Sequence, residues 1–212
     1  MEWPLLETLP AEDARRVLAS ARRRTFARHE VIFHEGDPAD SILLISKGRV
    51  MVRTTTPLGH TAALSVLGPG TIVGELAQLA IPAVRSATAT AIEPVEAMAL
   101  HRDAFSELRA RHPSVTEVLI QLLADTIRRL NQQLLEALYV PADTRVRRRV
   151  IELMSVYGGD TIPLTQEDLA GLAGTTRATV NRVLREEQKR GTVTLTRGKV
   201  VVADAAALAK RT

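Results

Sequence analysis

The chain has 212 residues, 45% hydrophobic and 25% charged, with a formal net charge of +4; that is ordinary water-soluble composition, and length enough for about two domains of roughly 100 residues. It contains no cysteine, which excludes disulfide scaffolds and Cys-ligated zinc or iron–sulfur centres. No apolar stretch reaches the ~20 residues needed to span a bilayer, and Met1 to Pro10 carry two glutamates and no basic leader, so a cytoplasmic protein without a membrane partner is expected.

Charge is unevenly spread. Residues 144–212 hold 13 Lys/Arg against 7 Asp/Glu, whereas residues 1–143 hold 15 against 17. A basic module joined to a neutral one suggests a polyanion as partner, because neutralising phosphates releases condensed counterions.

In chain order, Leu5, Leu9, Ala14, Val17 and Leu18 lie near helical spacing, with Pro10 as a first-turn residue, and predict a short opening helix. From Arg24 to Leu100 the texture changes to short β-rich runs (VIF, SILLI, RVMVR, TAALSVL) separated by EGDPAD, SKG, TPLGH and GPG, which predicts a compact β-roll. Residues 102–139 read as helix, broken at His112-Pro113 because a residue before proline is disfavoured in the α region. Within the long second part, Ile120, Leu123, Ile127, Leu130, Leu134 and Ala137 follow alternating three- and four-residue steps, the spacing of a two-stranded seam. Val115, Val118, Leu119 and Leu122 form a second apolar face, suited to covering the roll.

Pro141-Ala142-Asp143 stops the long helix, with Asp143 or Thr144 as cap of the next. A helix carrying Arg145, Arg147, Arg148 and Arg149 follows, Arg147 being available to meet phosphate, then a Gly158-Gly159 break and a short strand at Thr161 to Leu164. Two helices and two β-rich pieces, TVTL and KVVVA, joined at Thr196-Arg197-Gly198, complete a winged helix-turn-helix. The class is therefore α+β: residues 1–112 as a β-roll sensor domain with flanking helices, 113–140 as a long dimerisation helix, and 141–212 as the winged helix-turn-helix.

Two constellations carry chemistry. In residues 165–191 Thr165 and Asp168 fit a capping arrangement, Gly174 permits a sharp turn, and Thr176 caps a second helix whose Val180, Val183 and Leu184 face inward. Arg177, Ala178, Asn181, Arg182 and Arg185 then share the opposite face, where arginine can bond guanine O6 and N7 in the major groove while hydroxyl and backbone groups hold phosphate. The DNA-facing set is Thr165, Gln166, Thr176, Arg177, Ala178, Thr179, Asn181, Arg182 and Arg185, with Arg197 and Lys199 from the wing. In the roll, Gly74-Glu75-Leu76-Ala77 is followed eleven residues after Gly74 by Arg85-Ser86-Ala87-Thr88. A cyclic phosphate needs a cation, hydroxyl and amide donors, and its ribose 2′-OH needs an acceptor; Arg85, Ser86, Gly74 and Glu75 offer them, whereas an Arg–Glu pair bridging the roll is the structural alternative.

On these residues the chain resembles transcription regulators of the cyclic AMP receptor protein (CRP/FNR) family over nearly its whole length. The resemblance implies a homodimer on a double-stranded DNA operator, RNA polymerase as a further partner, and a ligand site of Gly74, Glu75, Leu76, Arg85, Ser86 and Ala87 completed by Leu130 and Asn131 from the long helix. Thr176-Arg177-Ala178-Thr179-Val180-Asn181-Arg182 keeps both arginines of the family's recognition helix, but Ala178 replaces the acidic residue that accepts from cytosine, which implies an operator unlike the family's usual half-site. Leu130-Asn131 and Thr126 stand where nucleotide-responsive members usually carry a Thr-Ser or Thr-Asn pair and an arginine. Cyclic AMP is the first-choice ligand, with cyclic di-GMP or no diffusible ligand as alternatives. A nucleotide-binding module without DNA activity is the reading of another class, which the recognition-helix arginines argue against.

Other chemistries find little support. His29, His34, His60, His101 and His112 are scattered, so no haem or metal is expected. Glu35-Gly36-Asp37 reads as a hairpin turn and not a calcium loop. No catalytic constellation stands out, so an enzyme is not expected, and Trp3, Tyr139 and Tyr157 are too dispersed to form a stacking platform for single strands.

Overall fold

The computed structural model describes residues 3–56 and 61–212. The chain divides into two compact units, Met1–Thr54 with Ser65–Arg128, and Thr55–Leu64 with Arg129–Thr212. The TPLGH turn and His60 lie, apart from Thr56, outside the described residues.

The first unit opens on α1 (Pro4–Glu7) and α2 (Ala11–Ser20). The single opening helix expected from the spacing is two, because Thr8 ends the first and Pro10 is the N-cap of the second. Trp3 anchors this end, its indole N–H donating to the Ile45 carbonyl at 3.0 Å. The roll follows as β1 (Arg22–Phe26), β2 (Val31–Phe33), β3 (Ser41–Lys47), β4 (Val50–Thr55), β5 (Thr61–Leu67), β6 (Ile72–Val73), the one-turn α3 (Leu76–Leu79), β7 (Thr88–Ala91) and β8 (Val95–His101). One sheet runs β1-β8-β3-β6 and the other β2-β7-β4-β5.

The apolar run of β3 is explained by burial on both faces. Side chains alternate across a strand, so Leu43 and Ile45 enter the core with Phe26, Val50, Val73 and Val95, while Ile42 and Leu44 enter a second core with Trp3, Leu5, Phe105 and Leu108. A continuous apolar strand is what a sheet covered twice requires. The second core is closed by α4 (Arg102–Arg111) and the start of α5 (Pro113–Tyr139), divided at His112 as the proline predicts. Val115, Leu119 and Leu122 of α5 pack there, while Ile120, Ile127, Leu130 and Leu134 are exposed. The two apolar faces read from the sequence are therefore present, one covered and one open.

In the second unit α6 (Ala142–Tyr157) is followed by β9 (Thr161–Ile162), α7 (Gln166–Ala173), α8 (Arg177–Lys189), β10 (Val193–Thr196), β11 (Lys199–Val202) and α9 (Ala205–Ala209). The three strands form one sheet, β10-β11-β9, which is the wing. Pro141, and not Asp143 or Thr144, is the N-cap of α6; its fixed φ suits helix entry, which leaves the Asp143 carboxylate for another partner.

The arginine run of α6 is internal wiring, and Arg147, a candidate for phosphate in the sequence, is paired within the fold. Arg145 donates to the carbonyls of Val140, Ala173 and Gly174 at 2.7–2.9 Å. Arg147 pairs at 2.9 Å with Glu187, which is wholly buried and also meets Arg190, Arg211 and the Thr192 hydroxyl. Burial pushes the Glu187 carboxyl up, but these hydrogen bonds and cations outweigh it and hold it below its ordinary value. Arg148 and Arg149 both pair with the buried Glu136 of α5, and Arg149 also with Glu152.

Candidate nucleotide and nucleic-acid sites

In the roll, Arg85 sits in the segment between α3 and β7, which the 34–39 turn holds in place. Its backbone N–H donates to the Asp37 carbonyl at 2.9 Å, and its carbonyl accepts from Gly36 at 2.8 Å. The side chain is only 5% exposed and lies over the Phe33 ring at 4.2 Å, within cation–π reach. Nη1 donates to the Gly74 carbonyl at 3.3 Å, while the buried Nε has no partner. Among the described residues no carboxylate lies within ion-pair distance of Arg85. Burial lowers its pKa, opposed only through space by Asp40, Asp37 and Glu75.

Gly74 is required twice. Its φ is +88°, and a Cβ there would stand 2.2 Å from Arg85 Nη1, so any side chain would fill the space before the guanidinium. Glu75 is half-buried; burial pushes its carboxyl up, partly offset by the backbone N–H groups of Glu75 and Gly74 and by the Arg85 charge. Leu76 and Ser86 are exposed and Ala87 is buried. The Arg–Glu bridge of the structural alternative is not formed among the described residues, and the arrangement is a buried cation with donors to spare and a neighbouring carboxylate that is costly to ionise. Leu130 and Asn131 stand on the exposed side of α5 in the second unit.

The helix-turn-helix is built by the caps the sequence predicts. Thr165 and Asp168 form a reciprocal capping box on α7. Gly174 ends that helix at φ +59°, and the Thr176 hydroxyl accepts from the Thr179 N–H at 3.2 Å. Val180, Val183 and Leu184 are buried, which leaves Arg177, Ala178, Arg182 and Arg185 exposed and Thr179 and Asn181 half-buried. A cleft of about 520 Å³ opens between α7, α8 and the wing, and Thr165, Gln166, Arg177, Asn181 and Lys199 all line it. Thr176, Ala178, Thr179, Arg182, Arg185 and Arg197 lie outside its lining.

The two recognition-helix arginines differ. Arg182 is held by both oxygens of Asp143, at 3.0 and 2.5 Å, and by Glu186 at 3.1 Å; the same bonds lower the Asp143 pKa. Arg177 makes no ion pair among the described residues. Sequence reasoning missed Asp143 as the partner of Arg182, since 39 residues separate them and the acid reads as a cap.

Residues 23–112 match the model of the cyclic nucleotide-binding domain and residues 119–211 that of the Crp-like helix-turn-helix domain. The chain belongs to the cyclic AMP receptor protein (CRP/FNR) family. It is a DNA-binding transcription regulator with a cyclic-nucleotide-binding domain, in a family of regulators and not of enzymes. The CRP-like cAMP-activated global transcriptional regulator of Mycobacterium tuberculosis is 33% identical over 88% of this chain and 86% of its own. The Cyclic AMP receptor protein of Thermus thermophilus is 34% identical over 97% and 94%. Among solved structures, the Thermus thermophilus Catabolite Activator Protein matches at TM-score 0.57 and 34% identity over 98% and 97% of the two chains. The c-di-GMP responsive regulator CLP of Xanthomonas campestris matches at TM-score 0.79 and 20% identity over 91% and 99%, which shows the shared fold. No described helix is long and apolar enough to cross a membrane.

Proposed function

We propose that the protein is a cytoplasmic homodimer that binds a double-stranded operator, takes a cyclic nucleotide in its β-roll, with cyclic AMP the first choice, and thereby alters how RNA polymerase uses nearby promoters. The observation that carries the nucleotide reading is Arg85, a buried cation with an unpartnered Nε and, among the described residues, no carboxylate within ion-pair distance. A cyclic phosphate supplies the missing acceptors. Ser86 and the Glu75-Leu76 backbone donate to the same phosphate, Gly74 and Ala87 leave room for it, and Glu75 accepts from the ribose hydroxyl. Cyclic AMP is favoured over cyclic di-GMP because the Mycobacterium tuberculosis and Thermus thermophilus relatives, each above 30% identity over most of the chain, carry it in their names. The exposed row Ile120, Ile127, Leu130 and Leu134 supports a parallel pairing of two α5 helices, with Asn131 of a second copy reaching the base. Thr165, Gln166, Thr176, Arg177, Ala178, Thr179, Asn181, Arg182 and Arg185, with Arg197 and Lys199, face the duplex, the two copies meeting half-sites about one DNA turn apart.

Leu130 extends the apolar row in place of a polar relay, so coupling between ligand and DNA is weak. A ligand shifts the equilibrium only by its differential affinity for the two states, and a stimulation of about tenfold or less, or about 1.4 kcal/mol, is expected. Sedimentation, together with selection from a randomised duplex library with and without cyclic AMP, tests the reading. A dimer that enriches a two-fold symmetric site supports it; a monomer at micromolar concentration, or no enrichment in either condition, refutes it.

A further inference from the structure

We propose that Gln166 and Asn181 form one base-reading element that recognises adenine in the major groove, beside the base pair met by Arg177. The inference rests on α8 being the DNA-facing helix, as argued above, and adds what it reads. Arg182 is already hydrogen-bonded to Asp143 and Glu186, whereas Arg177 makes no ion pair among the described residues and lines the cleft. Asn181 follows one helical turn after Arg177, on the same face and in the same cleft. Its Nδ2 donates to Gln166 Oε1 at 2.9 Å in a half-buried contact.

A carboxamide reads adenine by accepting from the N6 amino group and donating to N7, so oxygen and nitrogen must point at the base edge together. A free asparagine presents its amide either way round and loses side-chain freedom on binding. In the structure Gln166 holds that amide one way round: it presents its Oε1, and the Asn181 nitrogen is turned toward it. One Nδ2 hydrogen is used in that bond, which leaves the second hydrogen and Oδ1 as the donor and acceptor adenine requires. Fixing the amide before the duplex arrives lowers the ordering cost of binding. Ala178, three residues earlier on the same exposed face, offers a methyl and no competing hydrogen bond, so the acidic cytosine reader of the family pattern gives way to an amide adenine reader.

The test uses the full-length protein and a randomised duplex library, with binding scored base by base for the wild type, Asn181→Ala, Asn181→Asp, Gln166→Ala and Arg177→Ala, each with a thermal melt. The wild type should discriminate adenine at one position of each half-site by roughly 5- to 150-fold, the range a good bidentate contact gives. Asn181→Ala should flatten that position alone, Arg177→Ala a different one, and Gln166→Ala should weaken the adenine preference by less than Asn181→Ala does. Asn181→Asp keeps the shape and accepts only, so its preference should move toward cytosine. A wild type that selects a site while Asn181→Ala lowers the melting temperature and leaves every base preference unchanged overturns the proposal and leaves DNA binding standing. An adenine preference that survives Asn181→Asp, or a base other than adenine at the position Asn181→Ala flattens, overturns it equally. No selected site for the wild type, with or without cyclic AMP, removes this proposal together with the reading beneath it.

Discussion

Arg85 of the roll and Arg147 and Arg149 of the winged-helix unit are held in opposite ways. In the winged-helix unit Arg147 and Arg149 meet carboxylates, with Glu187 and Glu136 each gripped by more than one cation. In the roll, Arg85 is as deeply buried but has a carbonyl, an aromatic face and an unpartnered Nε. Burying a charge without a partner costs free energy, so the first arrangement holds a fold together and the second is the one that the proposed function completes with an anion. The same contrast recurs on α8, where Arg182 is paired within the chain and Arg177 is not. These arginines therefore divide by whether the fold supplies their counter-ion, which counting charges along the sequence does not reveal.

Breaking the paired side of the comparison should have the largest effect. Glu187→Ala strands Arg147 beside Arg190 and Arg211, and removing one partner of a buried pair costs about 3–5 kcal/mol. Urea unfolding should show that loss in the winged-helix unit. Because the Glu187 pKa is held below its ordinary 4.5, its contribution is present above that value and disappears as the pH falls through the folded-state pKa, so wild type and variant should converge in acid.

A smaller effect should follow from releasing an arginine already paired at the surface. Asp143→Asn removes the main partner of Arg182 and one negative charge near the duplex. Affinity for operator DNA should rise by up to about fivefold, and the salt dependence should steepen by about 0.9 for each added phosphate contact. Anisotropy titrations across a salt series give both quantities. An unchanged affinity and slope would mean that Arg182 stays away from the duplex even when free.

The smallest effect concerns the charge that the roll keeps at a cost. Burial raises the Glu75 pKa, so ionised Glu75 opposes folding increasingly as the pH rises above its ordinary 4.5. Glu75→Gln should therefore melt at a higher temperature than the wild type at pH 7–8, and the difference should vanish below about pH 4.5, where both states bind the proton. A variant that melts lower at neutral pH would show that the carboxylate is a structural partner of Arg85.

Much of this was legible in the residues. Short β-rich runs between turn signals marked the roll, His112-Pro113 marked the helix break, and the Thr165–Asp168 and Thr176 caps placed both helices of the helix-turn-helix. What the sequence hid was pairing at a distance. Nothing local says that Arg147 faces Glu187 or that Arg182 faces Asp143, because salt bridges between elements depend on how the helices pack and not on spacing within one. Helix α9, five residues long, lacked enough turns to show a period, and Pro141 masked its role as cap because the acid beside it offered a familiar one.

The central claim, that an unpaired buried cation marks a ligand site, is tested most directly by calorimetric titration of cyclic AMP into the full-length protein and into Arg85→Leu. The account predicts saturable binding to the wild type, one site per roll, and a loss of at least tenfold in affinity in the variant, since a charge-assisted bond contributes about 1.5–3 kcal/mol. No heat and no thermal shift with the wild type for cyclic AMP, cyclic GMP or cyclic di-GMP would contradict it, as would binding that survives Arg85→Leu undiminished.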